Sequence, residues 1–496
     1  METLNHLLYG FSVAFLPVNL LYCFVGVLFG TIVGVLPGLG NAGAIAILLP
    51  VSYYFSDVGA LMLLAGIYYG AQYGGSTTSI LLNIPGEPQS MVTCLDGYAM
   101  HKKGRGGAAL GISAFGSFIA STGGVIVVTI FAPTLVEWAL EFGPLEYFGL
   151  GMLGLTLVSF LSSGSTLKGV IMAVFGMLVA TVGLDPVQAA PRLSFGSTNL
   201  LGGIDLIIIG MGMFGLSEVF HLMTAPPGGE EVILPPKGFV NLLPSVKEWK
   251  ESMLPVLRGS IIGFFIGILP GGGGILATIV SYSVEKKLSK HPERFGTGEI
   301  AGVAAPEAAN NGSSSGAMVP LMTLGIPSNV NVALLLAALM LHGITPGPMF
   351  MKNRPDVFWG VIASMYIGNV MLLVLNLPLI GLFTRISFVP QSLMIPIILF
   401  LCLIGVYLVN NNPFDVLIMV FFGLFAYLVK KYRFQVAPFL LGFILGPMIE
   451  KSLRRSLILS RGDFGTFFSR PLPTIFICLA FLIWIWPLIS KPFKRR

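Results

Sequence analysis

Charge is what this sequence most lacks. Asp, Glu, Lys and Arg make up 10% of its 496 residues, against roughly 25% in soluble domains. The few charges are also far apart. None occurs in residues 7–56, 58–86, 106–136, 147–167, 259–284, 308–351, 357–384, 386–414 or 471–490. An uncharged apolar run of about 18 residues or more can cross ~30 Å of hydrocarbon as a helix. Such solid runs exclude the alternating strands of a membrane barrel, and lipid leaves helices as the way to satisfy the backbone. The sequence therefore predicts an all-α fold, a polytopic transmembrane helical bundle with about ten to thirteen embedded segments.

Cysteine is nearly absent. Cys23, Cys94, Cys402 and Cys478 stand singly, which excludes a disulfide framework and a cysteine metal site. The N-terminus has no basic n-region and no obvious cleavage site, so it reads as a retained first helix. The net charge of +6 sits in short loops: His101 to Arg105, Lys286 to Arg294, Lys430 to Arg433 and the tail Lys491 to Arg496. Basic loops of this kind stay on the cytoplasmic side, and the pattern argues against a nucleic-acid partner.

What the sequence has is an internal repeat. Gly30-Thr-Ile-Val-Gly34-Val-Leu-Pro37-Gly38-Leu-Gly40 matches Gly263-Phe-Phe-Ile-Gly267-Ile-Leu-Pro270-Gly271-Gly-Gly273. The stretch from Tyr73 through Asn83-Ile84-Pro85 lies on the stretch from Ser315 through Gly325-Ile326-Pro327. The second copy is longer between its prolines by about the charged insert 285–294. This divides the chain into repeat 1 (about 7–220), a polar linker (221–257), repeat 2 (about 258–437) and C-terminal membrane segments with a basic tail (438–496). Within the linker, 241–257 reads as a short amphipathic helix at the membrane surface.

The order of basic loops reverses between the copies, with 101–105 basic in the first and 285–294 in the second. Two inverted repeats follow. In copy two the LPG segment is flanked by basic residues at both ends (Lys247, Lys250, Arg258 before; Lys286, Lys287 after). As helix, residues 259–284 rise about 39 Å, well short of two crossings of roughly 30 Å. The segment is expected to be a re-entrant hairpin turning at Leu269 to Gly274. The next run reaches the other side through Asn310-Asn311-Gly312-Ser313-Ser314-Ser315-Gly316, a poor stretch of helix, so a broken helix is expected there. Each copy supplies one hairpin and one broken helix.

Irregular backbone at membrane depth is tolerated where protein or a wet cavity surrounds it. Half-helix N-termini there offer N–H groups to an anion, and unwound carbonyls can hold Na⁺. Candidate substrate- or ion-binding residues in copy one are Pro37, Gly38, Gly40, Asn41, Gly74, Gly75, Ser76, Thr77, Thr78 and Asn83. In copy two they are Pro270, Gly271, Gly272, Gly273, Asn310, Asn311, Ser313, Ser314 and Ser315. Neither set contains Arg or Lys, so a carboxylate would rest on dipoles and a co-bound cation. Gly26, Gly30 and Gly34 read instead as a helix-packing face. Glu87, Asp96, Asp185, Asp205, Glu218 and Glu307 are expected at segment ends, at the membrane interface. Of these Glu307 is the foremost candidate for a functional intramembrane carboxylate.

Other patterns carry no weight. Gly38-Leu-Gly40-Asn-Ala-Gly43 imitates a dinucleotide fingerprint but follows a membrane helix. Gly312-Ser-Ser314-Ser-Gly316 imitates a nucleophile elbow without an α/β domain. No catalytic constellation or metal cluster is legible, so no enzyme and no cofactor is expected beyond Na⁺ as a coupling ion. An ion channel or a non-transporting scaffold subunit is the alternative, and the duplication within one chain speaks against a channel.

Four segments (Gly30 to Pro50, Tyr69 to Glu87, Leu257 to Gly274 and Ala304 to Ser328) resemble the TctA family, the large membrane subunit of the tripartite tricarboxylate transporters. The likeness covers nearly the whole chain, with the family domain at about 18–437. It implies a multi-pass protein of the bacterial inner membrane that imports a small organic carboxylate by Na⁺- or H⁺-coupled transport. It also implies partners: a small membrane subunit (TctB type), a periplasmic solute-binding protein (TctC type) and membrane lipid. The absence of a Walker A motif agrees with transport driven by an ion gradient.

Overall fold

The computed structural model describes residues 2–36, 39–161, 165–224, 242–386 and 389–490. Repeat 1 contains α1 (Glu2–Ala14), α2 (Pro17–Val35), α3 (Gly40–Ser52), α4 (Asp57–Leu82), α5 (Met91–Met100) and α6 (Gly106–Leu140). It continues through α7 (Pro144–Leu161), α8 (Thr166–Val179), α9 (Leu206–Gly210) and α10 (Ser217–Thr224). Repeat 2 contains α11 (Val246–Ile268), α12 (Gly273–Leu288), α13 (Ala301–Leu324), α14 (Val330–Leu341), α15 (Phe350–Asn353) and α16 (Pro355–Asn376). The helices α17 (Ile380–Ile386), α18 (Gln391–Asn410), α19 (Pro413–Lys431), α20 (Ala437–Leu459) and α21 (Pro471–Ser490) complete the chain. Strand is confined, among the described residues, to the pair Gly183–Leu184 and Pro191–Arg192.

Eight helical segments among the described residues are long and apolar enough to cross a membrane. Several present apolar side chains outward, such as Leu393, Ile397 and Phe400 on α18 and Leu417, Phe421 and Leu428 on α19. Faces of this kind belong against lipid or another protein. The chain is a multi-pass membrane protein.

The two copies pack alike. On α2, a Cβ added at Gly26, Gly30 or Gly34 would lie 2.2, 2.5 or 2.1 Å from the carbonyl oxygens of Leu63, Ile67 and Ala71 on α4. On α11, Gly259, Gly263 and Gly267 meet Ala305, Ala309 and Ser313 of α13 at 2.3, 2.2 and 2.1 Å. The glycines therefore let two backbones touch, as small-residue membrane interfaces do. Residue numbers rise together in both pairs, so α2 runs parallel to α4 and α11 parallel to α13. Across the copies the order reverses: Ser76 of α4 bonds Glu307 of α13 at 2.5 Å, while Gln72 bonds Ser314 at 2.6 Å. The central helices α4 and α13 are antiparallel, and the repeats are inverted. Gln72 and Ser314 hold matching positions in the two copies, so their bond lies on the pseudo-twofold axis.

Both hairpins form. Arg258 of α11 makes two hydrogen bonds to Glu285 of α12, at 2.5 and 2.7 Å, and pins the base of the second. From there to Ile268 the helix rises about 16 Å, roughly half a membrane. The turn uses Gly271 and Gly273 at φ +78° and +49°, a conformation glycine adopts without a Cβ penalty. Opposite ends of the molecule carry the two hairpin bases. Asp57, at the base of the first, pairs with Arg354 and His342, whereas Arg105 pairs with Glu248 at the base of the second.

Two expectations need correction. Residues 241–257 do not form a separate surface helix. A capping box of Ser245 and Glu248 starts α11 at Val246, and that helix runs on through Pro255 to Ile268. The linker thus ends inside the first arm of the second hairpin, and 225–241 lies outside the described residues. Nor is the helix broken at Asn310 to Gly316, where α13 is continuous. The break comes at Gly325 (φ +71°), and in copy one at Asn83 (φ +58°), both left-handed caps followed by Ile-Pro. Such a residue ends a helix, and proline prevents its resumption in line.

Candidate functional site

The hairpin tips and the chain beyond both helix breaks line one cavity of about 580 Å³. Its wall holds Gly40 to Gly43 from the start of α3 and Gly271 to Leu276 from the second tip and the start of α12. Pro88 and Gln89, in the 3₁₀ turn leading into α5, and Asn329 to Asn331, at the start of α14, complete the polar side. Four helical N-termini therefore meet one space. Gly40 and Gly273 open α3 and α12 with φ of +60° and +49° and have no other atom near the place of a Cβ. The opposite wall is apolar, with Val158, Leu161, Phe214 and Leu441. The cavity continues to exposed Lys430, whose ammonium lies 3.4 Å from Glu218 and 3.2 Å from the Ser217 hydroxyl.

Of the residues singled out in the sequence, Gly40, Asn41, Gly271, Gly272 and Gly273 line this cavity. Pro37 and Gly38 fall outside the described residues. Pro270 touches the space beside Gly154 of α7. Gly74 is a packing glycine, 2.2 Å from the Thr31 carbonyl oxygen were a Cβ present. Thr77 and Thr78 return their hydroxyls to the carbonyls of Tyr73 and Gly75. Asn83 is exposed at the helix end.

The serine and asparagine cluster lies behind the cavity as a buried hydrogen-bonded seam. Ser313 bonds the Asn310 carbonyl, and Ser314 bonds Gln72. Ser315 donates to the Ser121 carbonyl, and Asn311 donates to the Ser117 hydroxyl at 2.7 Å. Glu307 sits at the heart of this seam. It accepts from Ser76 of α4, Thr93 of α5 and Ser113 of α6, so one carboxylate of repeat 2 ties together three helices of repeat 1.

Glu87 bridges seam and cavity. Its Oε1 accepts from Asn310 Nδ2 at 2.9 Å, while its Oε2 is buried without a hydrogen bond. Asn41 faces that carboxylate at longer range, and neither its Nδ2 nor its Oδ1 makes a hydrogen bond. Asn310 Oδ1 is unpartnered as well and lies 2.9 Å from where a Cβ on Gly274 would stand. Gly75 of α4 makes room for this acid: a Cβ there would lie 2.8 Å from the Glu87 Cγ.

Of the acids expected at segment ends, three are enclosed by protein. Glu87, Glu307 and Asp96 are buried among helices, 2%, 1% and 0% exposed. Asp96 is a clamp, accepting the N–H groups of Gly296, Gly298 and Glu299. Asp205 caps α9 and Glu218 pairs with Lys430. Asp185 lies in the loop after α8, where the N–H groups of Gln188 and Val187, and then Arg454, hold its carboxyl at about 2. Sequence reasoning missed Gln72, Gln89, Thr93, Ser113, Asn329 and Asn331. The position of Asn329 and Asn331 just beyond Ile-Pro, matching Glu87 and Gln89 in copy one, is the signal that could have found two of them.

No solved structure matches this chain. It is 47% identical over 472 residues to an uncharacterised 52.8 kDa protein in the TAR-I ttuC' 3' region of Agrobacterium vitis, covering 95% of this chain and 93% of that one. It is also 47% identical over 234 residues to an uncharacterised protein in the TAR-II ttuC' 3' region of the same organism, covering 47% of this chain and 97% of that one. The model of the tripartite tricarboxylate transporter TctA family matches residues 20–441. With that match over most of its length, the chain belongs to the TctA family of tripartite tricarboxylate transporter subunits.

Proposed function

We propose that this subunit imports small organic carboxylates of the di- and tricarboxylate class across the bacterial inner membrane, coupled to Na⁺ or H⁺ entry. A periplasmic solute-binding protein supplies the acid, and a small membrane subunit accompanies the chain. The observation that carries this reading is the convergence of four helical N-termini on one cavity. Each N-terminus carries a partial positive charge, and those of α3 and α12 have no side-chain cap on their N–H groups. Each stabilises an anion by about 0.3–1 kcal/mol, rising to ~2 kcal/mol when partly buried. Termini from four directions suit a molecule with more than one carboxylate, since each group meets its own set of donors. The apolar wall accommodates the carbon skeleton, and the lack of Arg or Lys at the tips keeps release easy.

The inverted repeats supply the means of transport. Two halves of opposite orientation around one central site exchange roles as the site opens to one side and then the other. With the loop 430–433 on the cytoplasmic face, the cavity described here opens inward. The test is uptake of radiolabelled acid into proteoliposomes holding both membrane subunits, with the purified binding protein added outside. Uptake should require an ion gradient and the binding protein together. Flux of acid that is indifferent to both would overturn transport coupling and favour a channel.

A further inference from the structure

We propose that Glu87 and Asn41 form a Na⁺ site at the first hairpin tip, and that this site occurs once in the chain, without a counterpart in the second repeat. The proposal rests on the cation coupling just argued and gives it an address.

The Glu87 side chain is buried beside the cavity, and its Oε2 has no donor within hydrogen-bond distance, with the Asn41 amide facing the carboxylate from farther off. Glu307 shows the contrast: three hydroxyls supply both of its oxygens. A carboxylate oxygen withdrawn from water without a partner is costly, and no Lys or Arg among the described residues pairs with Glu87. The neighbouring Asn41 is 4% exposed and also leaves its amide oxygen unpartnered. A carboxylate oxygen and an amide oxygen are ligands for a hard cation, and one such ion would satisfy both. The ion would also lie between the fixed Glu87 charge and a carboxylate in the cavity. Without it, those two anions repel.

The pseudo-symmetry shows why there is one site. In the register of the repeat, Glu87 corresponds to Asn329, Asn310 to Tyr68 and Asn41 to Gly274. The contacts correspond as well: Asn310 donates to Glu87, and Asn329 donates to the Tyr68 hydroxyl at 3.3 Å. The second half thus repeats the geometry with a neutral amide and a phenol, and replaces Asn41 by a glycine. It has the frame of the site without its charge or its free ligand.

The experiment is thermal unfolding of the purified full-length chain in NaCl, KCl and choline chloride at constant ionic strength and pH. Wild type should show a Na⁺-specific rise in Tm that saturates. Glu87→Gln should abolish that rise, and Asn41→Ala should raise the Na⁺ concentration at half effect by tenfold or more. Asn41→Ala keeps the test open should Glu87→Gln misfold. Equal Na⁺ response in wild type and Asn41→Ala, or a Tm that follows pH and ignores Na⁺, would overturn the site. Na⁺-driven uptake that survives Glu87→Gln would do the same and leave the transport reading standing. A Na⁺ shift lost in Glu87→Gln, in a chain that takes up no carboxylate, would support the site and count against the transport reading.

Discussion

Replacing Glu307 by alanine tests whether the buried seam holds the two repeats together. The carboxylate accepts hydrogen bonds from Ser76, Thr93 and Ser113. Ser76 has a second acceptor, the Gln72 carbonyl at 3.0 Å. Thr93 and Ser113 have no other acceptor among the described residues, so Glu307→Ala strands two buried hydroxyls. At about 2 kcal/mol for each stranded group, the loss is about 4 kcal/mol before any cavity cost. With an unfolding entropy of ~2 cal/mol/K per residue, a chain of this length has a total of about 1 kcal/mol/K, so Tm should fall by about 4 °C. Glu307→Gln keeps an acceptor and the volume, and its Tm should fall by less than half as much. Intrinsic fluorescence during heating of both purified variants provides the measurement. If Glu307→Ala unfolds at the wild-type temperature, the carboxylate is not what joins the repeats.

Gly263→Leu should destroy the folded protein, because even its Cβ would lie 2.2 Å from the Ala309 carbonyl oxygen; loss of a monodisperse peak in size-exclusion chromatography is the readout, and a normal peak would refute the α11–α13 packing. Gly40→Val should fold, since no atom is near its Cβ, yet lose most uptake, because a β-branched residue at φ +60° distorts the tip at a cost of about 1–3 kcal/mol. Gly271→Val should be worse tolerated, since its Cβ would lie 2.5 Å from the Val158 Cα, whatever the neighbouring glycines allow. Single cysteines at 57 and 353 should label from one side of the membrane and those at 103 and 290 from the other; labelling of 57 and 290 from the same side would contradict the inversion. Asp185 has a depressed carboxyl near 2, so its contribution is complete above the unfolded value of about 4 and fades as pH falls from there toward 2. Asp185→Asn should therefore leave little acid dependence in protease cleavage of the loop 183–192, and an unchanged acid profile would discount its bonds to Arg454.

The hairpins are legible in the sequence because their cause is local. Leu-Pro-Gly ends a helix wherever it stands, and basic flanks on both sides of a short run require a return. The sequence misplaces the break in α13 because small polar residues are poor helix formers in isolation. In the core their hydroxyls bond carbonyls one turn back, as Ser313 does to Asn310, or reach a neighbouring helix, as Ser314 does to Gln72. Burial and satisfied bonds outweigh the weak propensity. The true break at Asn83 and Gly325 has its sign in the shared Ile-Pro that follows each. What no reading of one sequence reveals is which distant residues meet. Glu307 finds Ser76, Thr93 and Ser113, and Glu87 finds Asn310, across the span between the two repeats. Those meetings turn two ordinary acids into the core of the molecule.

The central claim, that a carboxylate rests among four helical N-termini, is tested most directly by substrate protection of single cysteines. Ala42→Cys and Asn331→Cys place thiols at the starts of α3 and α14, on opposite repeats but on one cavity. Their reaction with a maleimide would be followed with citrate, a dicarboxylate or an aromatic acid present, each beside its uncharged ester. The account predicts that one acid slows both thiols at the same half-effective concentration and that its ester slows neither. Protection of one thiol alone, or equal protection by acid and ester, would contradict it.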